Sequence, residues 1–267
     1  MLPGVSLPYF FGKYAHDLAP NPLSGAGPHH VDPIQIYAPM LRAHEFGYRA
    51  MRIWLCEGAE GILINRDVIT GVHPVIVESI AVIQESAAMS GLRIYWTLLD
   101  GHSARRINDV VTGAILTEPA HTARFAELVA APLAARLHPD VTLGIEVVNE
   151  PEALMANDDG WRKGAKAIKA IADAIRSARA GTLVTSGMDR ARLPLLWKNA
   201  PGLDAIDVHA KGRPGLPSRA DLARELTLSS EQAKSLPLIG GYRGESANQP
   251  HREDYAAMFH WRFESAD

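Results

Sequence analysis

The feature of this chain that most restricts its fold is an alternation: short runs of strand-forming residues are separated by longer stretches with helical spacing. The strand-like runs lie near Gly4 to Leu7, Tyr48 to Leu55, Arg93 to Leu99, Thr142 to Val148, Thr182 to Ser186, Ala205 to His209, Leu236 to Gly240 and Met258 to Phe263. Such an order reads as repeated βα units on a parallel sheet, because parallel neighbours need a crossover long enough to hold a helix. The intervening stretches carry end signals. Asp32-Pro33 reads as an N-cap with Pro at the first helical position, opening a helix that closes at Gly47, and Gly91 and Gly181 close two others. Val77, Ile80, Ala81 and Met89 mark the expected core face of a helix from about Pro74 to Ser90, and Ala and Ile recur at helical spacing from Trp161 to Ala180. Pro39 is expected to interrupt the first helix, and Pro119 and Pro132 to bracket the third. Residues 13–31 read as a long loop after the first strand.

Eight such units in 267 residues suit one α/β domain spanning the whole chain, with the (β/α)8 TIM barrel as the expected architecture. A doubly wound open sheet shares the alternation. Two features favour the barrel: no glycine-rich phosphate loop follows the first strand, and polar residues recur at the ends of many strands rather than at one switch point. A formal net charge of −3 without a basic block argues against a nucleic-acid partner. No apolar run approaches the ~20 residues that span a bilayer, and no charged segment followed by an apolar stretch opens the chain, so a soluble protein of open compartment is expected. The single cysteine, Cys56, excludes an internal disulfide.

The fourth strand ends Asn149-Glu150-Pro151. Proline stops the ladder and is expected to hold the residue before it extended, which leaves Glu150 at the mouth of the sheet as a candidate general acid/base and Asn149 beside it as a partner for a sugar hydroxyl. The plainer alternative is a strand end leading into a helix. Arg52, alone in an apolar strand, needs a carboxylate partner; it either orders the core or keeps a reactive carboxylate ionised. His102 and His209 stand at strand ends, where a satisfied core histidine and a functional one are both reasonable. No His-X-His occurs, so no catalytic metal is expected.

These residues, in this order, make the chain resemble the superfamily of (β/α)8 retaining glycoside hydrolases that includes cellulases and β-mannanases. In that superfamily Asn-Glu-Pro at the end of strand four supplies the acid/base. Arg52 in Ala-Met-Arg-Ile-Trp matches the strand-two arginine, His102 in Leu-Leu-Asp-Gly-His the strand-three histidine, Asp207-Val-His209 the strand-six segment and Trp261 the strand-eight tryptophan beneath the sugar. The resemblance implies a hydrolase of β-linked oligo- or polysaccharide that needs no cofactor and uses two carboxyl groups about 5 Å apart.

The second carboxyl should end strand seven, where Leu236-Pro-Leu-Ile-Gly-Gly241-Tyr242-Arg243-Gly244-Glu245 has Gly241 or Tyr242 instead of glutamate. Three readings follow. Glu245 is carried back into the mouth by its glycine-rich loop; or the nucleophile is absent, leaving a carbohydrate-binding or hydrolytically impaired barrel; or Glu57, Glu60 or Asp100 serves in its place. Trp261 and Tyr242 are the candidate sugar platforms, whereas Trp96 and Trp197 read as packing. Lys211 stands where the superfamily usually sets a tyrosine, and Asp17 in the first loop is a weaker candidate for a sugar contact. The short segment after Trp261 leads one to expect that the final helix is missing or truncated. Oligomeric state, sugar and linkage stay open at this stage.

Overall fold

A computed structural model describes residues 1–107, 109–155, 158–210, 215–242 and 251–261. Its strands, in chain order, are β1 (Leu2–Leu7), β2 (Ala50–Trp54), β3 (Ile62–Asn65), β4 (Val68–Val72), β5 (Arg93–Asp100), β6 (Thr142–Asn149), β7 (Val184–Thr185), β8 (Met188–Asp189), β9 (Ile206–Ala210), β10 (Leu238–Tyr242) and β11 (Ala257–His260). All except β3 and β4 form one curled, parallel sheet of nine strands in the order β7-β6-β5-β2-β1-β11-β10-β9-β8. The two strands that end this order, β7 and β8, are separated in the chain only by Ser186 and Gly187.

Each of the eight expected strand regions overlaps a strand of this sheet, and the ninth strand, β8, falls outside them. β2 and β10 are buried at every residue, as expected of parallel strands covered on both faces. The main core lies against the helices. A second, smaller cluster joins Ala50, Tyr95, Ala205, Ile239, Ala257 and Phe259, with Tyr95 and Phe259 stacked at 5.3 Å. Those residues come from β2, β5, β10, β11 and the position before β9, so the sheet curls until its non-adjacent strands touch.

Three local departures have physical causes. The antiparallel hairpin β3–β4 has no Asn-Gly or Asp-Gly signal; Arg66 and Asp67 take positive φ (49° and 63°) at its turn, the backbone that a tight hairpin requires. The helix Pro33–Glu45 runs through Pro39, held by the burial of Ile36, Met40 and Ala43. The stretch around Pro132 likewise stays helical, and a π turn over Ala126–Ala130 precedes it.

Helix Pro74–Ser90 ends on a left-handed Gly91, as expected, but it buries Ile76, Ile80, Ile83 and Ala87, leaving Met89 61 % exposed. That apolar face is rotated from the one marked by Met89. Among the described residues no helix is long and apolar enough to cross a membrane. Residues 262–267, on which a truncated last helix was expected, lie outside the described residues.

Candidate active site

Residue 150 is where β6 leaves the sheet. Its N–H donates to Gly187 O at 2.8 Å, and a short 3-10 turn, Pro151–Ala153, begins immediately after it. Glu150 is not extended, as the following proline led one to expect; it takes φ 47° and ψ 56°, in the left-handed region. Such a conformation costs a non-glycine residue about 1–3 kcal/mol and persists where surroundings enforce it. Here it breaks the strand's alternation, so that two consecutive polar side chains both meet partners from neighbouring strand ends.

Glu150 is clamped by two histidines. Its Oε2 lies 2.5 Å from His102 Nε2, and its Oε1 lies 3.0 Å from His209 Nδ1. The His209 side chain is fully buried, and its other nitrogen faces Asp207 Oδ1 at 3.5 Å. Burial opposes the charge on His209, but its hydrogen bonds to Asp207 and Glu150 outweigh that and push the imidazole up to about 9. Asp207 moves the other way: burial raises it, while the His209 hydrogen bond and charge, Arg52 and Tyr95 bring it below the usual carboxylate range. His209 is therefore a charged donor at neutral pH. The His102 side chain is 29 % exposed, so it is from that flank that a substrate oxygen can approach the Glu150 carboxyl.

Asn149 is held from both ends. Its Nδ2 donates to Asp100 Oδ1 at 2.9 Å, and its Oδ1 accepts from Arg52 Nη2 at 2.8 Å. Tyr14 in turn donates to Asp100 Oδ2 at 2.5 Å. Arg52 finds the carboxylate it needs in Glu146, bonding it through Nη2 and, at 3.1 Å, through Nε. Thr97 and the Gly187 N–H complete the shell of Glu146 at 2.6 and 3.0 Å. Burial pushes the Glu146 carboxyl up against the pull of Arg52, whose own guanidinium is held above its ordinary value by Glu146 and Asp207 despite burial. The guanidinium also lies 4.7 Å from the centre of Trp54 and 5.2 Å from that of Trp261. Trp261 meets the His209 ring edge-on at 5.2 Å.

Arg52, His102, Asn149, Glu150, His209 and Trp261 thus come together in one network. Glu146, Thr97, Tyr14 and Trp54 were not singled out from sequence as its members. Glu146 was within reach of sequence reasoning, since a lone acid inside β6 is the natural complement of a lone arginine inside β2. Trp96 is fully buried, in keeping with the packing role expected of it.

The remaining candidates divide. Tyr242 is 2 % exposed and lies beside His260 with ring centres 5.4 Å apart, a setting that argues against its use as an open sugar platform. Gly241 is aligned with His209 in the β9–β10 register, and a Cβ added there would meet His209 Cδ2 and Trp261 Nε1, each at 2.9 Å. Any side chain at position 241 would therefore require the His209 or Trp261 ring to shift. Glu245 and Lys211 lie outside the described residues. Asp17 is buried, accepts from the Phe10 N–H, and groups with Glu57 and Glu60 rather than with the clamped glutamate, so the expected sugar contact is corrected to a buried acidic cluster. Asp100, Glu146 and Asp207 each accept hydrogen bonds on both carboxylate oxygens or face a charged histidine.

No family model matches the chain, and no curated protein does. Solved structures match over nearly its whole length. A β-1,4-mannanase from the sea hare Aplysia kurodai is 16 % identical and superposes with a TM-score of 0.74, covering 97 % of this chain and 87 % of that one. A β-mannanase from the blue mussel Mytilus edulis is 15 % identical, with a TM-score of 0.70 and coverage of 98 % and 86 %. A β-1,4-D-mannanase from Cryptopygus antarcticus is 16 % identical, with a TM-score of 0.70 and coverage of 100 % and 85 %. At these identities the likeness establishes a shared fold.

Proposed function

We propose that the chain is a single-domain (β/α)8 barrel and a retaining β-glycosidase acting on β-linked mannan or a related glucan. The observation that carries the reading is Glu150, forced into a left-handed conformation at a strand end and held between His102 and His209. Closure of the barrel is supported by the near-contiguity of β7 and β8, the two ends of the strand order. The similar solved structures, β-mannanases, favour mannan among β-linked substrates.

In this reading a glycosidic oxygen displaces His102 from Glu150 Oε2 and receives the Glu150 proton as the bond to the sugar breaks. His209 keeps its grip on Oε1 and fixes the carboxyl's orientation. Glu150, now ionised, then removes a proton from the water that releases the sugar from the nucleophile. Arg52, Asn149, His209 and Trp261 line the sugar subsite. Glu245, outside the described residues, is the nucleophile of this proposal, because Asp100, Glu146 and Asp207 are already engaged. No cofactor takes part.

The crowding at Gly241 favours one second reading, a carbohydrate-binding barrel without efficient turnover. Release of reducing ends from β-mannan separates the two. The first predicts turnover that falls about 10²- to 10⁴-fold in Glu150→Gln, the usual worth of a positioned acid/base. Mannan binding without turnover in the wild-type chain supports the second.

A further inference from the structure

Beside the glutamate network lies a cluster that the proposed chemistry leaves unused. Asp17, in the loop after β1, and Glu57 and Glu60, in the loop after β2, are each at most 1 % exposed. Each offers an oxygen within 4.8 Å of the others'. Three carboxylates so placed repel one another strongly in a low-dielectric interior. Among the described residues none of the three pairs with Lys, Arg or His.

Their hydrogen bonding is incomplete in a way that points inward. Glu60 Oε1 accepts from the Leu18 and Ala19 N–H groups at 2.6 and 2.8 Å, and Asp17 Oδ2 accepts from the Phe10 N–H at 2.7 Å. Those bonds fix the two side chains. Among the described residues no donor from another residue reaches Asp17 Oδ1, Glu60 Oε2 or either oxygen of Glu57. A buried carboxylate served by no donor beyond its own backbone N–H is costly, and Glu57, wholly enclosed, is such a group. The contrast with Glu146, Asp207 and His209 is informative, since that trio has comparable spacing but Arg52 supplies the positive charge and protein donors occupy its oxygens.

We propose that Asp17, Glu57 and Glu60 form a structural site for a calcium ion, which ties the loop after β1 to the loop after β2 at the rim of the glutamate network. The ligand chemistry is all oxygen and anionic, which suits a hard divalent cation. Coordination chemistry favours calcium, which takes mono- or bidentate carboxylates in a flexible geometry, whereas magnesium demands near-ideal octahedral geometry and usually keeps several waters. The frame is already braced, because Asn21 Nδ2 donates to Ala15 O and Gly58 O at 3.1 and 2.8 Å and so joins the same two loops. Burial raises Asp17 and Glu57 well above the usual range and Glu60 to about 7, the condition that a bound cation relieves.

The test uses the purified full chain. Elemental analysis after desalting from calcium chloride, and thermal unfolding in millimolar calcium chloride against EDTA, are the first measurements. The expected result is one calcium per chain and a Tm raised by at least about 5 °C, as for a ligand far above its Kd. Glu57→Gln and, independently, Asp17→Asn should lose most of that shift while remaining folded in EDTA, since each puts a neutral side chain of the same shape in place of a buried acid. Terbium luminescence, sensitised through nearby Tyr14 and quenched by excess calcium, reads the wild-type site without any variant. Equal Tm in calcium and EDTA with no bound ion, or a full calcium response in both variants, overturns the proposal.

Discussion

Arg52 on β2 reaches past β5 to bond Glu146 on β6, so the two lone charges of the inner strands satisfy each other across an intervening strand. Thr97 of that intervening strand donates to the same Glu146 oxygen. The pair holds Asn149 through Arg52 and hence the end of β6 from which Glu150 departs.

Removing one partner strands the other. Glu146→Ala should cost about 3–5 kcal/mol, because it leaves Arg52 buried without the carboxylate it bonds directly. Urea unfolding measures this directly. A loss under about 1 kcal/mol would mean that the pair is not what orders the network.

The charge on His209 makes stability depend on pH with a definite sign. Its folded value, about 9, stands above the ordinary 6.5, so its contribution is complete below about pH 6.5 and disappears as pH rises through about 9. The difference in unfolding free energy between wild type and His209→Gln should therefore shrink on going from pH 6 to pH 10. A difference that is flat over that interval would show that His209 is neutral in the folded chain.

Gly241 is expected to resist even the smallest side chain. Gly241→Ala brings a Cβ to 2.9 Å from both His209 and Trp261, which must shift together. We expect a destabilisation of about 1–3 kcal/mol and loss of activity from displacing the histidine that grips Glu150. Gly241→Glu should be still less stable and should not gain turnover. Unchanged Tm and activity in Gly241→Ala would contradict the crowding.

Much of this organisation was legible in the chain because it rests on local signals. The eight strand regions declare themselves by alternation, Gly91 by its helix-ending position, and Glu150 by the proline after it. What escaped depends on the tertiary fold. Nothing in Arg66-Asp67 announces a hairpin turn, because the positive φ there is imposed by the strands on either side. The left-handed state of Glu150 runs against the preference set by Pro151 and is held by Gly187 and two histidines, one in the turn after β5 and one on β9. Asp17 read as a loop acid facing a ligand, yet the loop folds inward and buries it beside Glu57 and Glu60, which are adjacent only in space. Glu146 is the instructive omission: a lone acid in β6 could have been matched to the lone Arg52 in β2, because consecutive βα units place those strands on either side of β5.

The most direct test of the role assigned to Glu150 compares two substrates in Glu150→Ala. A 2,4-dinitrophenyl β-mannoside has a leaving group that needs no proton, whereas β-mannan does. The account predicts that the variant nearly loses action on mannan, still releases dinitrophenol, and with added azide turns over faster to give β-mannosyl azide, because azide attacks the glycosyl-enzyme without needing a base. Wild-type-like cleavage of mannan by the variant, equal loss on both substrates with no response to azide, or a wild-type chain that cleaves neither would contradict it.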